Sequence, residues 1–170
     1  MTGVGKSTFA RRLAEAADLP YTELDALHHG PNWQPRPEFG AEAAALAAGD
    51  RWITEWQYTS KLGDLLSARA DAVVWLDLPR SVALPRLIRR TIRRRLRRTV
   101  LWNGNVEPPL HTFFTAPEDN ILRWEMRTHR KWRERMPEFL DERPEVPVIR
   151  LATQREVDRW PAAIAGGPRA

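Results

Sequence analysis

The 170-residue chain predicts an α/β fold with a mainly parallel sheet. Two observations point there. Short β-favouring runs alternate with amphipathic helical segments along the whole length. One run, Ala72–Leu78, is apolar almost throughout, as a strand covered on both faces of a parallel sheet must be.

The elements follow in order. Lys6–Ala17 reads as a helix, because Phe9, Ala10, Leu13, Ala14 and Ala17 form one apolar stripe with Arg11, Arg12 and Glu15 mostly off it. Asp18-Leu19-Pro20 ends it. Tyr21–Leu24 is a short strand leading to Asp25, and His28–Pro37, with Gly30, Pro31, Pro35 and Pro37, is a loop. Alanine-rich Glu38–Ala48 is a helix stopped at Gly49. Arg51–Glu55 is the next strand, since Trp52, Ile53 and Thr54 favour extended backbone. Ser60–Ala68 is a short helix, and Pro79 closes the strand Ala72–Leu78.

A long helix follows over Ser81–Arg98, where Leu84, Ile88, Ile92 and Leu96 recur every four residues and arginines cover the remaining surface. Thr99–Pro117 is mostly loop. Glu118–Met136 is helical, Val146–Leu151 is a last strand, and Gln154–Ala165 is a last helix, interrupted or restarted near Pro161. No repeat or linker divides the chain, so residues 1–170 form one domain.

Composition narrows the classes of function. Apolar residues make up 42% and charged residues 29%, the balance of a soluble globular domain. No apolar run is long enough to span a membrane, and the start does not read as a signal peptide, so the cytoplasm is the expected compartment. Without cysteine there is no disulfide, thiolate nucleophile or cysteine-bound zinc. The net charge of +5 is concentrated, with eight arginines between Arg86 and Arg98. Such a block suits nucleotide phosphates, nucleic acid or another anionic surface, or it is simply a solvated helix face. The adjacent His28 and His29 should point apart in an extended loop and form no zinc-ligand pattern.

The chemistry-bearing motif stands at the beginning. Met1-Thr2-Gly3-Val4-Gly5-Lys6-Ser7-Thr8 supplies the second half of a Walker A loop, Gly-Lys-Ser/Thr. Gly3 and Gly5 can take backbone angles closed to other residues, so that successive N–H groups, Val4 included, point at one phosphate. The helix starting near Lys6 adds its positive end. Lys6 would carry a full charge to the β and γ phosphates of ATP, and Ser7 would offer its hydroxyl to Mg2+. Counting back five positions from Gly5 passes Met1, so the first glycine of the pattern and the strand before it are missing from this sequence.

With this loop, Leu24-Asp25-Ala26-Leu27 before a Trp33 loop, Arg51-Trp52-Ile53, Val74-Trp75-Leu76-Asp77-Leu78-Pro79 and two basic helices, the chain resembles the P-loop nucleoside and nucleotide kinases. More narrowly, it looks like the adenylate-kinase-related proteins labelled FlaR-like or DNA-topology-modulation proteins. The resemblance runs to about Arg135 and more weakly beyond. It implies a three-layer P-loop fold with strand order 2-3-1-4-5, whose central first strand is absent here, and an arginine-rich lid over residues 91–118. It also raises the expectation that Met1 is an internal methionine of a longer protein.

The resemblance implies site roles as well. Asp25 would bind the acceptor, assist magnesium or act as a base, with a turn or helix cap as the plainer role. Asp77 occupies a Walker B-like place and would hold the magnesium water shell, or serve structurally. Arg86 and Arg90 match the Arg-x-x-x-Arg that opens the lid and would stabilise charge on the moving phosphoryl group. Arg123, Arg127 and Arg130 share a helix face and could return to the same phosphates. Where such proteins carry Asp-Gly-Asn-Tyr, this chain has Glu55-Trp56-Gln57-Tyr58. The leading expectation is an ATP- and Mg2+-dependent kinase acting on a small acceptor, with nucleotides among the candidates. A nucleic-acid-binding regulator and an inactive remnant are the rivals.

Overall fold

The computed structural model describes residues 3–108 and 121–165, with the backbone alone over 121–131 and at 165. Helix α1 (Lys6–Ala17) leads through Asp18, in left-handed conformation, to strand β1 (Tyr21–Thr22). A short helix α2 (Leu24–His28) and helix α3 (Phe39–Ala48) precede β2 (Ile53–Thr54). Then come α4 (Thr59–Leu62), β3 (Val73–Leu76), the long α5 (Arg80–Leu96), α6 (Ile121–Glu142), β4 (Val148–Leu151) and α7 (Gln154–Ala165).

The strands form two parallel pairs among the described residues. Strand β1 pairs with β2, Tyr21 opposite Ile53, and β3 pairs with β4 from Val73–Val148 to Leu76–Leu151. The expected α/β class holds as mixed helix and short parallel strands. Parallel pairing requires a crossover between partners. Here α2 and α3 link β1 to β2, and α5 and α6 lie between β3 and β4.

Apolar side chains gather in three adjoining clusters. Val4, Phe9, Leu76, Leu78, Ala83, Leu151 and Val157 join the Gly3–Gly5 loop, α1, α5 and α7 to the β3–β4 pair. Leu24, Phe39, Ala47 and Leu66 close the α2–α3 side. Met136, Phe139 and Val146 pack under Trp56, Val73 and Trp75. Trp56 also packs against the second cluster, which makes it the shared side chain of two cores.

Several boundaries move. Leu24 and Asp25, expected at the end of a strand, instead open α2, because the extended run stops at Thr22 and Leu24 turns into a fully buried position. His28 therefore ends a helix rather than beginning a loop. Helix α6 continues to Glu142, past the expected Met136 and through Pro137, with Phe139 buried beyond it. The last helix keeps its expected bounds, Pro161 included.

Candidate active site

The Gly3–Thr8 loop is shaped by its glycines. Gly3 has φ of 80°, and a Cβ there would lie 2.4 Å from the carbonyl oxygen of Ala83. The loop therefore lies directly against the backbone of α5. Gly5, with φ of 92° and ψ of 23°, is the residue from which α1 starts, and its carbonyl accepts from Phe9 N–H at 2.9 Å. Val4 between them is buried in the core, which anchors the loop, while Gly5 and Thr8 remain exposed. Met1 and Thr2 lie outside the described residues.

Charged groups converge behind the loop. Burial pulls the Lys6 ammonium below its ordinary value, opposed by the negative charges of Glu55 and Asp25 and reinforced by Arg90. Ser7 Oγ donates a 2.5 Å hydrogen bond to Glu55 Oε1. Glu55 is 4% exposed, and its Oε2 is buried without a hydrogen-bond partner. Burial pushes its carboxyl up, against the contrary pull of Ser7 and Lys6. The Tyr21 phenol is pushed up too, by burial and by the charge of Glu55. A pair of residues 48 positions apart, Ser7 and Glu55, thus closes the inner wall of the site.

Asp25 stands in the first turn of α2 and accepts from Tyr58 Oη at 2.6 Å. The same hydroxyl lies 3.1 Å from His29 Nε2. Tyr58 takes a left-handed conformation ahead of α4, and its ring packs against both His28 and Phe39, which also touch each other. The two histidines do not point apart: their Nδ1 atoms are 3.4 Å from one another, because His28 is helical and His29 is the extended residue that follows. His28 Nε2 accepts from Lys61 Nζ at 2.6 Å, and burial with that cation holds its pKa below the usual histidine value.

Arg86 and Arg90 reach the same region from α5. They line a cavity of about 310 Å³ with Gly3, Gly5 and Thr8, and Arg86 Nη1 donates to Gln154 Oε1 at 2.6 Å. Arg94 and Arg95 instead approach Glu107, at 3.4 and 3.6 Å. Arg89, Arg93 and Arg97 line an outer groove with Ile88 and Ile92.

The chain after α5 is clasped to the loop after α2. Asn105, 4% exposed, accepts from Trp33 N–H at 2.9 Å and donates to the Gly30 carbonyl at 2.8 Å. Trp33 Nε1 donates to the Val106 carbonyl, and Asn103 Nδ2 to that of His29. Of the expected lid, 109–118 lie outside the described residues, as do the side chains of Arg123, Arg127 and Arg130.

Asp77 has other partners. Its Oδ2 accepts from Arg150 Nε at 2.9 Å and Nη2 at 2.5 Å, while Arg133 Nε stands 3.5 Å from Oδ1. Through these contacts Asp77, just after β3, is tied to β4 and α6. Among the described residues, no group of three or more histidines and carboxylates is set to hold a metal ion. Sequence reasoning noticed Glu55 and Tyr58 only within a departure from a pattern and weighed His29 only as a zinc ligand. Their convergence depends on a left-handed turn that no local motif announces.

No family model, curated protein or solved structure matches this chain.

Proposed function

We propose that the chain binds ATP with Mg2+ in the cradle at Gly3–Thr8 and transfers the γ-phosphoryl group to a small acceptor, nucleotides included. The observation that carries this reading is the Ser7–Glu55 pair beside Lys6, on a loop shaped by two glycines with positive φ. The paired strands β1–β2 and β3–β4 also agree with the neighbours 2-3 and 4-5 of a P-loop kinase sheet.

Roles follow from position. The amides around Gly5 and the start of α1 receive the β-phosphate, and Lys6 faces the β and γ oxygens. The donor set suits magnesium, which is usually held by one or two carboxylates or hydroxyls plus phosphate and water. Ser7 Oγ and the unpartnered Glu55 Oε2 would hold it, and Glu55, rather than Asp77, is the carboxylate in contact with Ser7. The ion would neutralise charge shared between the β and γ phosphates. Asp25, oriented by Tyr58, faces the acceptor and accepts its hydroxyl proton. Arg86 and Arg90 stabilise the charge spread over the transferring group, and the clasped segment beyond α5 helps exclude water.

Thermal unfolding with and without Mg-ATP tests the proposal. At a nucleotide concentration of about 100 Kd, binding should stabilise the native chain by roughly 2.7 kcal/mol. Lys6→Ala should abolish that gain. Equal ATP affinity in the variant rejects the reading.

A further inference from the structure

Helix α5 has an inner and an outer face. Ala83, Leu87 and Thr91 form the buried one. Several of its arginines have partners within the chain: Arg86 donates to Gln154, and Arg94 and Arg95 approach Glu107. The outer face differs. Ile88, Ile92 and Leu96 stand 39%, 40% and 68% exposed in one row, four residues apart. Arg89, Arg93 and Arg97 form the row beside it, and among the described residues their side chains have no hydrogen-bond or ion-pair partner. A groove of about 630 Å³ runs between the two rows.

Single apolar residues on a surface are ordinary, but an ordered apolar row marks an interaction site. Rows of residues four apart are the ridges of a helix, and the trough between two such ridges accepts a ridge of another helix. Here one wall of the trough is aliphatic and the other cationic. A helix seated in it with its own four-residue apolar row would cover Ile88, Ile92 and Leu96. Its next row, on the arginine side, would meet three free cations, where carboxylates are favoured and like charges are costly. Successive members of either row stand about 6 Å apart along the axis, so acidic residues four apart match the arginines one for one.

Other occupants fit less well. A helix that lies on a bilayer sets a broad apolar face, with Trp or Phe among its residues, opposite a basic polar face. This row is narrow, lacks aromatic side chains and has its arginines directly beside it on one flank. A second copy would bring the same arginines to the groove, on a chain of net charge +5. We propose that the outer groove of α5 docks an acidic amphipathic helix of another protein, with its aliphatic row in the trough and its carboxylates on Arg89, Arg93 and Arg97. The groove covers about three turns of α5, so the contact is small, transient and sensitive to salt.

The inference is independent of what the Gly3–Thr8 loop binds and is tested without nucleotide. A fluorescein-labelled peptide of four Ala-Leu-Glu-Gln repeats is titrated against the 170-residue chain and followed by anisotropy. It should bind at low salt and release as salt rises. The peptide with lysine for glutamate should bind at least about tenfold more weakly, as should the one with serine for leucine. In the double variant Arg89→Glu, Arg93→Glu the preference should reverse, so that the lysine peptide binds better. That reversal reports charge matching, which a folding defect does not produce. Ile88→Ser with Ile92→Ser should weaken the glutamate peptide by about tenfold, whereas Lys6→Ala should leave it unchanged. Equal affinity for the glutamate and lysine peptides, full binding of the serine peptide, or no reversal in the double variant overturns the proposal. Tighter binding to phosphatidylglycerol vesicles, or dimerisation in sedimentation, overturns it too when the same arginine substitutions abolish that association.

Discussion

At Gly3 the choice of residue is decided by an oxygen atom 2.4 Å from where a Cβ would stand. Gly5 also has positive φ, but nothing lies within 4 Å of its Cβ position. Gly5→Ala should therefore cost only the left-handed strain, about 1–2 kcal/mol. Gly3→Ala adds a clash with the Ala83 backbone that a side-chain shift cannot relieve, and should cost about 2–4 kcal/mol. Equal denaturant midpoints would contradict the packing of loop on α5. Glu55 gives a second test. Its folded-state pKa is raised by burial above the ordinary 4.5. As pH rises past that value the unfolded chain releases its proton first, so stability falls until the folded carboxyl also ionises. Glu55→Gln removes the titration and keeps a group able to accept from Ser7. In magnesium-free buffer the variant should gain Tm over the parent as pH rises above the ordinary carboxylate range, while weakening Mg-ATP binding. Parallel pH profiles would show that Glu55 is not buried as described.

Among elements, the β3–β4 pair carries an ion pair with unequal surroundings. The Asp77 side chain is 1% exposed, whereas that of Arg150 is 58% exposed. Among the described residues, Arg150→Met leaves the buried carboxylate with Arg133 as its remaining ion-pair partner, and should cost about 1–3 kcal/mol. In Asp77→Asn the charge is gone, so adding Arg150→Met should cost much less. A double-mutant cycle in urea measures the coupling. Additive losses would mean that each side chain acts separately. Much of this level was legible in the sequence. The continuous apolar run gave β3, and α7 begins and ends where its pattern does; α5 is a helix as expected, but Ile88, Ile92 and Leu96 of its four-residue row are exposed, and Ala83, Leu87 and Thr91 form the buried face. Tyr21–Leu24 misled because so short a segment has no period of its own. Whether Leu24 extends a strand or starts a helix is decided by the tertiary pocket that buries it. At the site, the loop and Lys6 were readable from local order, and Asp25 was singled out though on the wrong element. The Ser7–Glu55 contact was not readable, because it joins distant segments through the crossover between β1 and β2.

Over the whole molecule the two strand pairs do not hydrogen-bond to each other, so side chains must join the halves. Trp56, just after β2, contributes to that union. Its ring centroid lies 5.2 Å from Trp132 and 4.7 Å from Phe139, both on α6, and Arg135 stacks over it at 5.4 Å. On its other side it packs with the cluster of Leu24, Phe39 and Leu66. Truncation should thus do more than remove apolar area. Trp56→Ala should cost about 3–5 kcal/mol, the usual range for a large aromatic side chain lost from a core. It should also weaken the coupling between the α2–α3 side and the β3–β4 side. Cooperative unfolding requires that neither part be stable while the other is open. The parent chain should show one urea transition, coincident by far-UV circular dichroism and by exchange of the β4 amides. In the variant the α2–α3 amides should open at lower urea than those of β4, and the dichroism transition should broaden. A midpoint shift with both probes still coincident would show that other contacts, such as those of the loop and α1, suffice to bind the halves.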